Sequence, residues 1–349
     1  MHVETRVSTE SSRSNTHEAQ ARLDLGMRLI SSSKLPSDGI AEYELRQRHA
    51  RGELTRVHRG TYLDSELSVL AANSAEVTHA SRVFGFMRRS ETATVSGISA
   101  AVLHGLPLLN HRLTGPITVT RRNHGARRAH VAVRRSHLRA EDVTTLHGLP
   151  VTTLKRTIQD LAENVELPEL LAATEAALRQ GGDITGLEAP LRHRRALRWV
   201  SMHASARSES YAESWSKYVL YQHGFSFDWQ QVSVFDERGR FVARCDFGSE
   251  LGLLGEFDGR IKYGEIAGST EAAADAIMAE KERENRLRSL GWDVARWTWA
   301  DLHDADRLIR RLNAQLANAA AAPRPRGSIR IEPLKRAQPP NWSAIFGLH

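Results

Sequence analysis

The sequence RCDFGSELGLLGEFDGRIKY (Arg244–Tyr263) predicts two short strands joined by a tight turn. The first strand ends at Asp246, and the second runs from about Leu251 to Asp258. Side chains alternate between the two faces of a strand, so Glu256 and Asp258 should project from the same side. If the two strands are antiparallel neighbours, Asp246 reaches that side as well. We therefore expect three carboxylates to converge at one end of a sheet.

Such a group of carboxylates favours a bound divalent cation, because like charges a few ångström apart raise one another's pKa. Hard oxygen ligands are those that Mg²⁺ or Mn²⁺ prefers. Leucine and phenylalanine make the second strand apolar on both faces, which places its acids in an otherwise buried element. Lys262 follows closely, and only six of the 48 basic residues are lysine. The alternative is a solvated strand end with scattered acids, which is the usual explanation of an isolated Glu-x-Asp.

Length and composition indicate a protein of two or three domains without a membrane span. The chain has 349 residues, 41% of them apolar, and no apolar run of 18 residues. The first 20 residues lack the apolar segment of a secretory signal. Cys245 is the single cysteine and is expected to be a small core residue in a reducing cytoplasm. The 16 histidines show no spacing typical of a structural zinc site.

The charge favours a polyanionic partner, with DNA as the leading candidate. The formal net charge is +7 and the pI is near 9.8. Most basic residues are arginine, whose guanidinium binds phosphates and guanine edges with two parallel hydrogen bonds. A GC-rich genome would produce the same arginine bias without any functional cause.

The N-terminal part predicts disorder over residues 1–20 and a winged-helix-like DNA-binding segment over 21–65. Residues 17–30 have a helical pattern, and a second short helix precedes Gly52. LTRVHRGTYL then predicts a small basic hairpin. In a winged helix the helix enters the major groove while the wing touches phosphate. The alternative is a helical cap with a solvated basic face. The residues predicted to contact DNA here are Arg46, Arg48, Arg51, Arg56 and Arg59.

The middle region, residues 66–200, contains an arginine-rich pair of strands. Ile117–Arg122 and Val131–Ser136 alternate in polarity, and NHGA between them predicts the turn of a hairpin. Eight arginines and no acid lie between Arg112 and Arg139. Arg121 and Arg122 are therefore predicted to contact nucleic-acid phosphates. An arginine-edged strand that prevents edge pairing is the alternative.

Three segments of this half carry a family resemblance: RVHRGTYL, VSGISAAVLHGLPLL and HGLPVTTLKRTIQDLA. They resemble the AbiEi-type antitoxins of type IV toxin–antitoxin systems, over about the first 180 residues. The resemblance implies an N-terminal winged helix before a mixed α/β middle domain. It also implies a nucleotidyltransferase-like toxin as a possible protein partner.

Residues 205–318 predict the order helix, three strands, helix, strand, followed by a terminal helix. The details GEFDG, KYG, EKERENRLRSLGW and ARWTW resemble the very-short-patch-repair-like branch of the PD-(D/E)xK nucleases. The resemblance implies a restriction-endonuclease-like domain that hydrolyses DNA with Mg²⁺ or Mn²⁺. The whole chain is thus expected to be of mixed α/β (α+β) class, with a flexible Pro/Arg-rich tail over 319–349.

The same resemblance implies roles for individual residues. Asp246 becomes the central metal ligand and Glu256 the second carboxylate, and the carbonyl of Phe257 completes the ligand set. Glu213 on the first helix leans toward the metal, directly or through water. Asp258 occupies the place of the family's usual lysine.

Lys262 is the nearby replacement for that lysine, so Lys262 or Asp258 would position the attacking water. Lys281 and Arg283 on the long helix are expected to stabilise phosphate charge. Glu213 as an exposed helix acid, and Arg283 paired with Glu280 or Glu284, are the plainer alternatives.

Three hypotheses follow: a DNA-binding nuclease, a non-catalytic antitoxin-like regulator with the same folds, and an antitoxin that acts through protein contact.

Overall fold

The computed structural model describes residues 29–31, 42–58, 60–187, 193–259 and 270–347. Within these residues the chain is of mixed α/β class, with thirteen α-helices and three β-sheets. It divides into two compact units, the first formed by Met1–Ala204 with Ala337–His349 and the second by Ser205–Arg336. None of the described helices is long and apolar enough to cross a membrane. The predicted disordered segment 1–20 lies outside the described residues.

The first unit begins with a small antiparallel sheet of order β1-β3-β2 beside one helix. The predicted helix followed by a hairpin is present. The predicted helix over 17–30 is wrong at its end, because Leu29 and Ile30 pair with the hairpin as a strand and are buried. Most of that segment lies outside the described residues. The elements are β1 (Leu29–Ser31), α1 (Glu42–Ala50), β2 (Thr55–His58) and β3 (Thr61–Leu63).

The remainder of the first unit packs helices on a six-stranded sheet of order β6-β7-β5-β4-β9-β8. Helix α4, sequence GISAAVLH, is buried along its whole length and forms the centre of this core. The helices are α2 (Ser65–Asn73), α3 (Ala75–Met87), α4 (Gly97–His104), α5 (Asn110–Leu113), α6 (Leu154–Leu161), α7 (Leu167–Arg179) and α8 (Arg194–His203). The strands are β4 (Thr94–Val95), β5 (Ile117–Arg121), β6 (Ala126–Arg127), β7 (Val131–Arg135), β8 (Val143–Leu146) and β9 (Leu149–Thr152).

The arginine-rich strands do not form the predicted hairpin. Strands β5 and β7 are both present, but they pair in parallel from Ile117–Val131 to Arg121–Arg135. The antiparallel partner of β7 is the short β6, and the N–H of Arg128 donates to the carbonyl of Val131 to close that turn. Alternating polarity identifies each strand but does not fix the direction of pairing, so the turn was predicted too early in the sequence.

The second unit has the predicted order of a helix, three strands, a helix and a strand. Its sheet has the order β13-β12-β11-β10-β14, in which only β12 and β13 are parallel among the pairs described. The strands are β10 (Trp229–Phe235), β11 (Phe241–Gly248), β12 (Leu253–Phe257), β13 (Asp293–Trp297) and β14 (Ser328–Ile331). The helices are α9 (Tyr211–Gln222), α10 (Thr270–Ser289), α11 (Trp299–His303) and α12 (Ala305–Ala321).

Helices cover both faces of this sheet. Leu253 packs with residues of α9 and α12, whereas Leu254 packs with Leu287 of α10 and with Cys245. Adjacent residues of a strand point to opposite faces, so α9 and α12 lie on one side and α10 on the other. The two faces of β12 are therefore both buried, as its apolar sequence predicts.

Parts of the tail for which the sequence predicts flexibility, residues 319–349, form secondary structure within the described residues. Strand β14 pairs antiparallel with β10, and the terminal helix α13 (Trp342–Phe346) belongs to the first unit. Trp342 is 2% exposed, and its indole N–H donates to the carbonyl of Leu103 at 3.0 Å. The proline and arginine content suggested disorder, but the alternating SIRI and the apolar Trp342 and Phe346 provide enough apolar surface to hold the segment in place.

Candidate carboxylate site

Asp246 lies where strands β11 and β12 separate. The last paired residues are Phe247 with Gly255 and Gly248 with Leu254. Beyond them, the backbone N–H of Phe257 donates to Oδ2 of Asp246 at 2.9 Å. The carboxylate thus takes the place of a backbone acceptor between the two strands. Its position is fixed by the sheet, and part of its side chain stays accessible to solvent.

Glu213 approaches the same place from the first turn of α9. Ser210 caps this helix by accepting from the N–H of Glu213, and its hydroxyl donates to Oε1 of Glu213 at 2.8 Å. Oε2 accepts from the backbone N–H of Glu209 at 2.9 Å and from the amide of Gln231 at 2.6 Å. Glu213 is 6% exposed, so the alternative of an exposed helix acid is wrong.

The electrostatics of this pair are unfavourable to ionisation. Removal from water raises the pKa of Asp246 well above its usual range, and the carboxylates of Glu213 and Glu256 raise it further, against the lowering effects of the Phe257 N–H and of the charge of Arg244. Burial also raises the pKa of Glu213, against the lowering effect of its three hydrogen bonds. Among the described residues, no basic side chain forms an ion pair with either group. The pair therefore accumulates negative charge that a proton or a cation would relieve.

Glu256, in contrast, is already neutralised. Both of its oxygens accept from Arg283, at 2.7 and 2.8 Å, and Oε2 also accepts from Arg296 at 3.1 Å. Burial raises the pKa of Glu256, but the hydrogen bonds and charge of Arg283 outweigh it and hold that pKa below its usual range. Glu280 binds the same two arginines. Arg283 therefore pairs with Glu280, as the alternative predicts, and it pairs with Glu256 as well.

The expected convergence of three carboxylates is not seen in the parts of the chain that the structure describes, where no three His, Cys, Asp or Glu side chains are arranged to hold a metal ion. Asp258 is partly exposed, and its N–H donates to the carbonyl of Trp297 at 2.8 Å. Lys281 is exposed on α10. Lys262 lies outside the described residues. The structure thus brings Glu213 to Asp246, whereas Glu256, which also raises the pKa of Asp246, is paired with two arginines.

Sequence reasoning missed Gln231. It lies on β10, between the pairs Gln230–Phe247 and Val232–Cys245, and its amide donates to Glu213. It is 6% exposed and has a left-handed backbone with φ 58°. A glutamine in the run WQQVSVF carries no signal that distinguishes it from an ordinary polar strand residue.

The arginines predicted to contact DNA lie in the first unit, apart from Arg283. Arg46, Arg56 and Arg122 are exposed. Arg48 and Arg51 both pair with Glu53, at 3.1 and 3.0 Å. Arg121 donates to the hydroxyl of Ser90 at 2.8 Å. Arg59 lies outside the described residues.

The donor chemistry of the Glu213–Asp246 pair fits a small divalent cation. Both candidate ligands offer hard carboxylate oxygens, Glu213 is buried and Asp246 half-buried, and neither forms an ion pair with a basic side chain in the part of the chain that the structure describes. No protein-family model matches the sequence, and no curated protein matches it. The chemistry of the site therefore has to be inferred from its own geometry.

Proposed function

We propose that the second unit is a nuclease domain that hydrolyses phosphodiester bonds with Mg²⁺ or Mn²⁺. The observation that carries the proposal is the Glu213–Asp246 pair, a buried and a half-buried carboxylate that repel each other and that form no ion pair with a basic side chain among the described residues. The order of helix, three strands, helix and strand supports it, because it is the order of the PD-(D/E)xK nucleases that this region resembles. Asp246 is partly accessible, as a group that meets a phosphate must be.

The carboxylates of Asp246 and Glu213 would hold the cation, with the carbonyl of Phe257 as a further donor. A bound cation at this place supplies a water of lowered pKa and positive charge next to the scissile phosphate. Within the protein, the N–H of Phe257 fixes the orientation of Asp246. Asp258, two residues beyond Glu256, and Lys262 are the candidates for positioning the attacking water. Glu256 would hold α10 against the sheet through Arg283.

The first unit would hold the nucleic acid. Its exposed arginines, among them Arg46, Arg56 and Arg122, are suited to contact phosphates without reading sequence. The resemblance of this unit to AbiEi-type antitoxins is what favours a toxin–antitoxin or phage-defence setting for the proposed activity. A nucleotidyltransferase-like toxin would then be the protein partner.

Strand cleavage of supercoiled plasmid tests the proposal. The wild type, Asp246→Asn and Glu213→Gln are each incubated with Mg²⁺, Mn²⁺ or EDTA. Glu237→Gln is the matched control, because Glu237 is 58% exposed and forms only a long 3.5 Å ion pair with Arg326. We expect nicking by the wild type and the control with Mg²⁺ or Mn²⁺, and none by the two site variants or with EDTA. Equal nicking by wild type and Asp246→Asn would overturn the proposal.

A non-catalytic DNA-binding regulator is the second candidate. The observation in its favour is Glu256, whose two arginine partners leave it no free charge to offer a cation. Asp258 in place of the family's lysine favours it as well. In that case the wild type retards DNA in a gel without breaking a strand, and it retards DNA equally in EDTA.

A further inference from the structure

We propose that the β6 edge of the six-stranded sheet is the surface through which the first unit binds the phosphates of duplex DNA; this rests on the proposed function, in which the first unit holds the nucleic acid. Strand β6 is the last strand on this side of the sheet. Four exposed arginines lie at the carboxyl ends of β5, β6 and β7 or directly after them. We call them the edge arginines: Arg122, Arg127, Arg128 and Arg135.

The edge arginines have no partner in the described part of the chain. None of their four guanidiniums forms a hydrogen bond or an ion pair there. Arg48 and Arg51, which the sequence also predicts to contact DNA, both pair with Glu53 instead. No acid lies between Arg112 and Arg139 in the sequence. The edge therefore presents positive charge that is available to an anion from outside the protein.

The strand register spaces these charges along the edge. Arg127 is opposite Ala132 of β7, and the N–H of Arg128 donates to the carbonyl of Val131. Arg135 ends β7 four residues after Val131, which is about 13 Å further at about 3.3 Å per residue. One strand of duplex DNA advances about 3.4 Å per phosphate, so this length corresponds to about four phosphates. The spacing thus suits contact with a run of consecutive phosphates.

Protection of the sheet edge does not account for these arginines. Strand β6 has two residues, and so short an edge strand already offers little backbone with which another chain could pair. Of the four edge arginines, only Arg127 lies in β6. Arg122 and Arg128 lie in the segments before and after it, where edge pairing needs no guard.

Duplex DNA fits this surface better than a single strand does. Proteins that hold single strands stack the bases on aromatic side chains. The segment 112–139 contains no Phe, Trp or Tyr. Phosphate contacts hold a duplex without reading its sequence, so the edge arginines should bind duplexes of unrelated sequence alike.

The salt dependence of binding tests this inference in the full chain. A short DNA duplex is titrated in EDTA, so that no strand is cleaved, and the logarithm of the binding constant is plotted against that of the salt concentration. The slope is about −0.9 for each phosphate that the protein neutralises. With glutamine at all four edge positions, we expect a slope less steep by about 3 to 4, and an equal loss of affinity for two duplexes of unrelated sequence.

A matched control removes the same net charge from the second unit, and its slope should change by less than about 1. It replaces four arginines that each pair with an acid: Arg240→Gln, Arg288→Gln, Arg311→Gln and Arg326→Gln. Lysine at the four edge positions keeps the charge, so that variant should keep the slope of the wild type. Retention by lysine and loss with glutamine would together separate phosphate contact from a defect in folding.

The inference is overturned if the glutamine variant and the control have equal slopes, or if the wild type binds a single strand more tightly than the duplex. Its failure differs from that of the proposed hydrolysis. A wild type that nicks plasmid while the glutamine variant keeps the full slope contradicts the edge contact alone. A wild type that binds the duplex in EDTA but nicks no plasmid with Mg²⁺ contradicts the hydrolysis alone, and the slopes still decide the role of the edge arginines.

Discussion

Because of its ion pairs, Glu256 should be one of the acids of the second unit whose substitution lowers the free energy of unfolding most. Its carboxylate accepts three hydrogen bonds from Arg283 and Arg296, at 2.7, 2.8 and 3.1 Å. The Glu256→Gln variant keeps the shape but leaves both guanidiniums facing an amide that cannot neutralise them. We expect a loss in the free energy of unfolding at pH 7, and the structure sets its size.

Breaking a fully buried ion pair by removing one partner costs about 3–5 kcal/mol. The Glu256 side chain is 15% exposed, but those of Arg283 and Arg296 are 23% and 31% exposed, so water recovers part of that cost. Glu280 also remains as a partner for both arginines. A loss of about 2–3 kcal/mol is therefore expected. The control Glu237→Gln removes an exposed pair and should cost less than about 0.5 kcal/mol.

The pH dependence provides a second check on the same variant. The pKa of Glu256 is lowered in the folded state, so its stabilisation is present above the ordinary pKa of glutamate, about 4.3. It is lost as the pH falls through the lowered folded value. The difference between wild type and Glu256→Gln should thus be largest near pH 7 and shrink below about pH 4.

Urea unfolding, monitored by hydrogen exchange in peptides from β12, measures the loss in the free energy of unfolding in the second unit alone. The local readout is needed because two units need not unfold in one transition. The reasoning is refuted if Glu256→Gln costs no more than Glu237→Gln at pH 7. It is also refuted if Arg283→Met destabilises the Glu256→Gln protein as much as it destabilises the wild type, since the two residues would then be uncoupled.

Three further predictions follow from buried groups. In EDTA, and at pH values above the raised pKa of Asp246, Asp246→Asn should have a higher melting temperature than the wild type. The difference should vanish near pH 4, where the carboxyl is protonated in the unfolded chain as well. A wild type that is more stable than Asp246→Asn at pH 8 contradicts this. Burial lowers the pKa of His79 to about 4, so NMR should find its imidazole neutral at pH 5, and its contribution to stability should be lost as the pH falls from about 6.5 through 4. Gly255→Ala should cost about 1–3 kcal/mol in urea unfolding, because the new Cβ would lie 2.7 Å from the ring of Trp297, whereas Gly239→Ala, with φ 73° and open space, should cost about 1 kcal/mol or less.

The elements of the second unit were predictable because each has a local signal. The sequence ERGR (Glu237–Arg240) is typical of a hairpin turn, and the structure closes the turn there, with Asp236 accepting from the N–H groups of Arg238 and Arg240. Gly224 ends α9 with φ 73°, as its place after an apolar helix predicts. The antiparallel pairing of β11 with β12 also agrees with the prediction.

The partners of the acids were not predictable, because they come from distant parts of the chain. Arg283 and Arg296 reach Glu256 only after α10 and β13 have packed beside β12, and one sequence gives no indication of that pairing. The left-handed backbone at Gln231 was not predictable, because no glycine or asparagine, the residues that usually indicate this conformation, stands there. For the same reason the parallel direction of β5 and β7 was missed, since it depends on the intervening β6.

The contrast between two acids of one strand pair is the strongest argument for a ligand at Asp246. Glu256 and Asp246 are both acids on adjacent strands, and Glu256 accepts hydrogen bonds from two guanidiniums. The charge of Arg244 lowers the pKa of Asp246, but among the described residues no arginine pairs with Asp246 as Arg283 pairs with Glu256. Asp246 instead faces Glu213, and the left-handed Gln231 holds Glu213 in place. The repulsion between Glu213 and Asp246, the burial of Glu213 and the left-handed backbone of Gln231 are each unfavourable to the folded state. Their concentration around the half-buried Asp246 is expected of a binding site rather than of a packing residue.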